Sequence, residues 1–343
     1  MRKAIFVLFI FFIHPLSALS RPSKALEPHA AIGVATYSYF DETRGRPITV
    51  EFWYPAAQEG KVKPALNEDV WIHPQELRNA VFAKNAHQLP LVLMSHGHAG
   101  DRRDRSWLAE KLVQSGYVVA SIEHPGNSWH TMDTVATLKF WERPRDVSFA
   151  LDRLLSDPLL AGRIDEKRIG FVGYSLAGLT GLFLAGAVPD GIEAQIERNR
   201  SQFPEVTPEM LAAMDFSPAK QSYYDPRIKA IFLMAPATWC FVKEPSLKGL
   251  KTPVAIVATV SDEVLAFEEH MEPLISRSVP ARLKVLRRGE SHFVFLNRTT
   301  EKGKAVLGER VFRDPPGIDR REIHREVGSF AIEFFNQFLR SIK

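Results

Sequence analysis

The sequence predicts an α/β protein, a mostly parallel central sheet flanked by helices and carrying one helical insertion. Three observations lead there. Short runs rich in β-branched and aromatic residues alternate with helical patterns along most of the chain. Leu89–Ser95 (LPLVLMS) is almost continuously apolar, as a strand buried on both faces should be. Arg168–Tyr174 (RIGFVGY) runs without a linker into the small-residue helical stretch Leu176–Ala187, a sharp strand-to-helix junction. Composition agrees: of 343 residues 45% are hydrophobic and 24% charged, and 23 Phe against 20 Gly can fill a sizeable core.

In chain order, Arg2 and Lys3 precede an apolar run, Ala4–Ile13, which His14 and Pro15 break. Ala18-Leu19-Ser20 then offers small residues for cleavage. This is the order of a secretory signal peptide over residues 1–20, and the run is shorter than the ~20 residues a membrane span needs. The expectation is an exported protein, periplasmic or secreted, with one domain over residues 21–343 and no integral membrane segment. Ile32–Phe40 and Pro47–Pro55 read as two antiparallel strands joined at Asp41–Gly45. After Leu89–Ser95 come an amphipathic helix (Ser106–Ser115, ended by Gly116), a strand (Tyr117–Ile122) and a second amphipathic helix (Arg145–Leu155). Ala230–Met234, Pro253–Val260 and Ala281–Leu286 read as further strands, and Ile323–Phe338 as a closing helix. The polar stretch 190–224 breaks the alternation and reads as a cap-like insertion after the junction helix.

The charge balance, 44 basic against 40 acidic residues with no basic run, argues against nucleic acid as a partner. A single cysteine, Cys240, excludes an intrachain disulfide framework and a Cys-rich zinc site.

The junction carries the chemistry. In Gly173-Tyr174-Ser175-Leu176-Ala177 a serine sits in the turn between strand and helix, which lifts its hydroxyl above the sheet edge. Gly173 and Ala177 are small because strand and helix approach closely there. Attack on a carbonyl places negative charge on oxygen, best stabilised by fixed backbone N–H groups. One donor is expected from Leu176. The second is expected from the loop His96-Gly97-His98-Ala99-Gly100, with the amide of His98 preferred over that of Gly97. A His96-x-His98 metal pair is the rival reading, disfavoured by the lack of a nearby Cys or carboxylate before Asp101.

A serine hydroxyl needs a histidine to take its proton, and the histidine needs a carboxylate to hold its tautomer. His292 follows the last strand. His270 and His324 fall in helical stretches and read as surface or packing residues. Asp262 directly follows the strand Pro253–Val260, with Glu263 as the alternative acid; Glu290 is too near His292 in sequence. Trp129, Trp239 and Phe241 are candidate substrate-pocket residues, and His124 and His130 follow another strand and could touch substrate or hold structure. The expected activity is serine ester hydrolysis through an acyl-enzyme, on a small-molecule ester with a small to medium acyl group and with no cofactor or metal. A lipase or phospholipase A2-like acetylhydrolase, an amidase, and a non-catalytic binding protein on a hydrolase scaffold are the competing readings.

At these residues the sequence resembles the α/β-hydrolase superfamily, and within it the dienelactone-hydrolase-like and platelet-activating-factor acetylhydrolase-like esterases of bacteria. The resemblance rests on Leu91–Gly97, Glu123–Asn127, Arg143–Leu154, Gly170–Gly178, Asp225–Ala230 and Ser291–Leu296. It implies an α/β-hydrolase fold and Ser175, Asp262 and His292 as a triad. Two departures limit what it implies about substrate. Dienelactone hydrolases use a cysteine where this chain has Ser175. The acetylhydrolases carry their acid after the strand following the nucleophile helix, and here that region, Ala235–Trp239, holds none.

Overall fold

The structure, a computed structural model, describes residues 31–57, 70–198, 206–241, 244–277 and 279–340. The expected signal peptide, residues 1–20, lies outside them. The chain builds one nine-stranded sheet from β1 (Ala31–Asp41), β2 (Arg46–Ala56), β3 (Leu77–Arg78), β4 (Leu89–Ser95), β5 (Val118–Glu123), β8 (Ile164–Tyr174), β9 (Ile228–Met234), β10 (Val254–Thr259) and β11 (Pro280–Leu286). A separate two-stranded ladder, β6 (Asn127–Ser128) with β7 (Thr131–Met132), lies in the loop after β5. The sheet order is β11-β10-β9-β8-β4-β5-β2-β1-β3. β1 and β2 form the expected antiparallel hairpin, turned at Gly45 with φ +61°, and β2 pairs antiparallel with β5. From β5 to β11 every pair is parallel.

A parallel sheet covered on both faces explains the apolar strands. Alternation sends Leu91, Leu93, Phe171, Ile231 and Leu233 to one buried layer and Val92, Met94, Val172 and Phe232 to the other. The first layer is closed by α3 (Glu142–Ser156) and α4 (Ala177–Leu184), and the second by α1 (Ser106–Gln114) and the closing helix Arg320–Phe335. Between β7 and α3 lies the single-turn helix α2 (Thr134–Leu138).

Element boundaries differ from the sequence reading in physical ways. β8 starts four residues before Arg168, because Ile164 pairs with Leu89 before the ladder slips and re-registers at Ile169. α3 starts at Glu142 rather than Arg145, since Pro144 sits in the first turn, where its missing N–H costs nothing. α4 ends at Leu184, ahead of Gly186 at φ +102°.

The insertion leaves the core after α4, which has carried the chain away from Ser175. Its α5 (Ile192–Arg198) and α6 (Pro208–Ala212) bracket undescribed residues. Ile192, Ile196 and Phe216 are buried in the α3–α4 layer, where Phe216 meets Trp141 edge-on at 5.8 Å.

The loops after β4, β5, β8, β9, β10 and β11 all leave the same sheet edge. In parallel α/β sheets this carboxyl-end edge is where ligands bind, and every sequence-predicted catalytic residue lies on it.

Candidate active site

Ser175 is the first residue beyond β8, with φ +52°, a left-handed backbone that costs a side-chain-bearing residue ~1–3 kcal/mol. The turn is pinned from both sides. The Ser175 N–H donates to the Met234 carbonyl at 3.0 Å, while its own carbonyl accepts from Gly178 N and Ala237 N, each at 2.8 Å. A Cβ on Gly173 would collide with the carbonyl of Ala177, and one on Gly178 would come 2.7 Å from the carbonyl of Ala237. The small residues of the junction are thus imposed by crowding around the turn.

His292 opens a short turn of 3-10 helix, His292–Phe295, after the loop from β11. Its Nε2 lies 3.0 Å from Ser175 Oγ and its Nδ1 2.7 Å from Asp262 Oδ2. The other carboxyl oxygen of Asp262 accepts from the backbone N–H groups of Val264 at 2.9 Å and Leu265 at 2.7 Å, which locks the acid in an Asx-type turn. The two acids weighed in the sequence take different tasks: Asp262 meets the imidazole, while Glu263 Oε2 accepts the backbone N–H of His292 at 2.9 Å. Glu290 is fully buried and accepts from Arg288, away from the imidazole. Tyr174, directly before the serine, donates its hydroxyl to the His292 carbonyl at 3.2 Å. Asp262 accepting from Nδ1 leaves Nε2 as the acceptor for the serine proton.

Opposite the serine lies the loop after β4. Gly97 is so near that a Cβ there would stand 3.1 Å from the Cβ of Ser175. Ala99 adopts φ +51°, and Gly100 is bridged to the next loop by the Trp129 N–H at 2.8 Å. The Leu176 amide stands at the start of α4, ahead of the first intrahelical bonds. Both nitrogens of the His96 ring are committed: Nε2 accepts the His124 N–H at 3.1 Å, so Nδ1 carries the proton and donates to the Gly97 carbonyl at 2.7 Å. This leaves the His96-x-His98 pair no free ring nitrogen on His96 for a metal. His98 itself is exposed, with Nδ1 3.2 Å from Asn127 Nδ2.

Other expected residues are placed as follows. Trp239 and Phe241 are buried, edge-on to Phe140 at 5.3 Å and Phe183 at 4.9 Å respectively, within the α3–α4 layer. Trp129 is 48% exposed. With Asp101, Arg103, His130, Lys302 and Val306 it lines a cavity of about 410 Å³ on the edge that carries Ser175. His270 and His324 are buried packing residues. His270 Nδ1 accepts the Thr238 N–H at 3.1 Å, and His324 stacks on Trp107 at 4.0 Å. Burial pulls their imidazoles down to about 4 and about 3.

One polar cluster was not anticipated as a unit. His124 is fully buried, with Nδ1 3.0 Å from Asp146 Oδ2 and Nε2 2.8 Å from Ser95 Oγ. Arg143, also buried, donates to Ser95 Oγ at 3.2 Å, to Asn127 Oδ1 at 2.6 Å and to the His96 carbonyl. Asp146 additionally accepts from Arg44 at 2.8 Å and from both arms of Arg46. Burial, then the cations Arg143, Arg46 and Arg44, hold the His124 imidazole well below its usual range. Burial, then Arg143, does the same to His96. Burial draws the Arg143 guanidinium down to about 9, still cationic at neutral pH. The sequence held one signal of this cluster: an Arg and an Asp three apart on the inward face of α3.

This sheet order with its flanking helices is an α/β-hydrolase fold, and it brings a serine at the strained β8–α4 turn, a histidine after the last strand and an acid after β10 to one sheet edge. Residues 36–146 match the family model of platelet-activating factor acetylhydrolase, isoform II, a stretch that includes the loop after β4, His124 and Arg143 but ends before Ser175. Among curated proteins the chain is similar to Cutinase 2 of Thermobifida cellulosilytica, 33% identical over 102 residues, covering 29% of this chain and 35% of that protein. It is likewise 33% identical over 102 residues to Cutinase cut1 of Thermobifida fusca, covering 29% of each. The chain thus spans about a third of the length of the curated relatives it matches. Among solved structures, a ferulic acid esterase from Streptomyces cinnamoneus superposes with a TM-score of 0.60 at 19% identity, over 92% of this chain and 93% of that one, a likeness of fold. Among the described residues no helix is long and apolar enough to cross a membrane.

Proposed function

We propose that this chain is a serine carboxylic-ester hydrolase that works through an acyl-enzyme, with Ser175 as nucleophile, His292 as general base and acid, and Asp262 as its orienting carboxylate. One observation carries the reading: the unbroken line Asp262 Oδ2–His292–Ser175 Oγ, with links of 2.7 and 3.0 Å, ending on a serine held at φ +52°. His292 Nε2 takes the hydroxyl proton as Oγ adds to the ester carbonyl. The oxyanion meets the amide of Leu176 and an amide of the loop after β4, that of His98 or Gly97. Collapse of the tetrahedral species breaks the bond to the alcohol oxygen, which receives the proton from Nε2. Water then repeats the cycle on the acyl-serine and releases the acid.

The names of the relatives, cutinases and an esterase, fit an ester substrate. The cavity at Trp129 is lined by none of Ser175, Asp262 and His292, so a small or medium acyl group rests on the sequence reading alone. A lipase-like reading draws on Trp129, Met132 and Val135, three exposed apolar side chains on one short segment next to that loop. Turnover that jumps at an oil–water interface would favour it over a soluble-ester hydrolase. The order of residues 2–20 supports export. Replacing Ser175 by Ala should lower hydrolysis of p-nitrophenyl butyrate on the order of 10⁴-fold in a protein of unchanged thermal transition. An unchanged rate sinks the assignment.

A further inference from the structure

Arg143 stands inside the fold, 3% exposed, and among the described residues none of its hydrogen bonds goes to a carboxylate. Among the described residues its Nε has no hydrogen-bond partner. Burying a cation this way costs several kcal/mol, and an apolar residue of similar volume would ordinarily serve stability as well or better. The three acceptors explain what the cation does. Ser95 ends β4, His96 begins the loop that faces Ser175, and Asn127 belongs to the loop after β5 and sits against the ring of His98.

Peptide planarity turns this clamp into a direction. In a trans peptide the C=O of one residue and the N–H of the next point opposite ways. The His96 carbonyl is drawn toward Arg143, so the Gly97 N–H is turned away from it. The Gly97 carbonyl is held by the His96 ring at 2.7 Å, so the His98 N–H is turned away from that ring. The ring in turn is fixed by the His124 N–H. Both amides considered for the oxyanion site are thus aimed by clamps on the carbonyls behind them, and Gly97 lies against Ser175.

We infer that Arg143 is a positioning residue for the oxyanion hole, holding the His96 carbonyl so that the following amides meet the charge that develops on the substrate. The inference rests on the proposed serine-hydrolase reading. Asn127 is the outer arm of the clamp, and the line Ser95–His124–Asp146 anchors its inner arm.

A positioning role and a merely structural one differ in what they do to each correctly folded site. The test measures kcat for p-nitrophenyl butyrate per active site, counted by the burst of p-nitrophenol, together with KM and the affinity for an alkyl boronic acid, which becomes tetrahedral on serine. In Arg143→Met, kcat per titrated site should fall on the order of 10²-fold, the size of losing one oxyanion donor. KM should stay within about threefold, and boronate affinity should fall in parallel, because the lost contact acts only on the charged tetrahedral species. Arg143→Lys, which can reach one acceptor but not three, should recover part of the loss. Asn127→Leu gives the same pattern at smaller size and serves where Arg143→Met does not fold. Variants whose burst shrinks while kcat per remaining site and boronate affinity keep their wild-type values would overturn the inference, provided Ser175→Ala is inactive. A wild-type chain that hydrolyses no ester, or a fully active Ser175→Ala, would overturn the hydrolase reading and this inference with it.

Discussion

The described residues contain two Ser–His–Asp lines of nearly the same geometry, and only one of them is read as a catalyst. In Ser175–His292–Asp262 the links are 3.0 and 2.7 Å; in Ser95–His124–Asp146 they are 2.8 and 3.0 Å. Distance does not separate them; their surroundings do. Asp262 is held by backbone N–H groups, so its charge is directed at the imidazole it orients. Asp146 already accepts from Arg44 and Arg46, and a third cation, Arg143, donates to Ser95 Oγ. Protonating His124 would place a fourth positive group among them in a fully buried site. Ser95 closes a regular strand and is wholly buried, whereas Ser175 sits partly exposed on a left-handed turn at the start of a helix. A triad becomes a catalyst when its base can accept a proton and its nucleophile can be reached; without these the same contacts are a structural tie.

The comparison can be broken most sharply at the two histidines. His292→Ala should cut kcat on the order of 10⁴-fold with the fold retained. His124→Ala should mainly lower thermal stability, by about 1–3 kcal/mol for the polar partners left unsatisfied, and a fluorophosphonate should still label Ser175 and never Ser95. Labelling of Ser95 would end the distinction. Next in size, Asp262→Asn should lower kcat on the order of 10³-fold or more by favouring the wrong imidazole tautomer. Asp146→Asn should instead destabilise the fold by about 3–5 kcal/mol, since it strips a buried partner from Arg44 and Arg46, with kcat per active site changed far less.

Acid sharpens the contrast at the level of the whole chain. His96, His124, His270 and His324 all have imidazoles lowered by burial in the folded protein, so the unfolded chain binds more protons once pH falls below the ordinary histidine range. Stability from these groups is complete above pH ~6.5 and is lost as pH falls, approaching about 1.4 kcal/mol per pH unit for each histidine until its folded value is reached. Asp104, pushed up to about 7 chiefly by burial, acts in the opposite sense over part of this window, but it is one group against four. The midpoint of thermal unfolding should therefore fall steadily from pH 7.5 to 5, and less steeply in His324→Phe. A flat profile would show that these rings are charged in the fold. The smallest effect is expected at Glu263→Gln, which keeps an acceptor for the His292 N–H and should change kcat by less than about tenfold.

The place of Ser175 was legible because a strand–turn–helix junction constrains its neighbours locally: Gly173 is small because the carbonyl of Ala177, four residues on, leaves no room for a Cβ, whereas Gly178 is crowded by Pro236 and Ala237 from the loop after β9, which the sequence does not show. His292 was legible from its place after the last strand. The choice between Asp262 and Glu263 was not, because adjacent residues leave a turn in different directions and only the Asx turn at Val264 and Leu265 decides which carboxylate meets the ring. Trp239 and Phe241 looked like pocket residues and are packed in the α3–α4 layer, while Trp129 is the half-exposed one. An aromatic side chain near a site in sequence carries no information about which way its ring turns.

By itself the sequence determined the periodicities: apolar runs that must be strands covered on both faces, amphipathic stretches that must be helices, and the crowded junction that lifts a serine from the sheet edge. These follow from contacts between near neighbours. The folded arrangement decided which carboxylate serves which histidine, which of two Ser–His–Asp lines is open, and that Arg143 reaches the loop facing Ser175. Those outcomes depend on segments up to about 120 residues apart meeting at one sheet edge, such as Tyr174 and His292, where burial and neighbouring charge rather than residue identity set what a side chain can do.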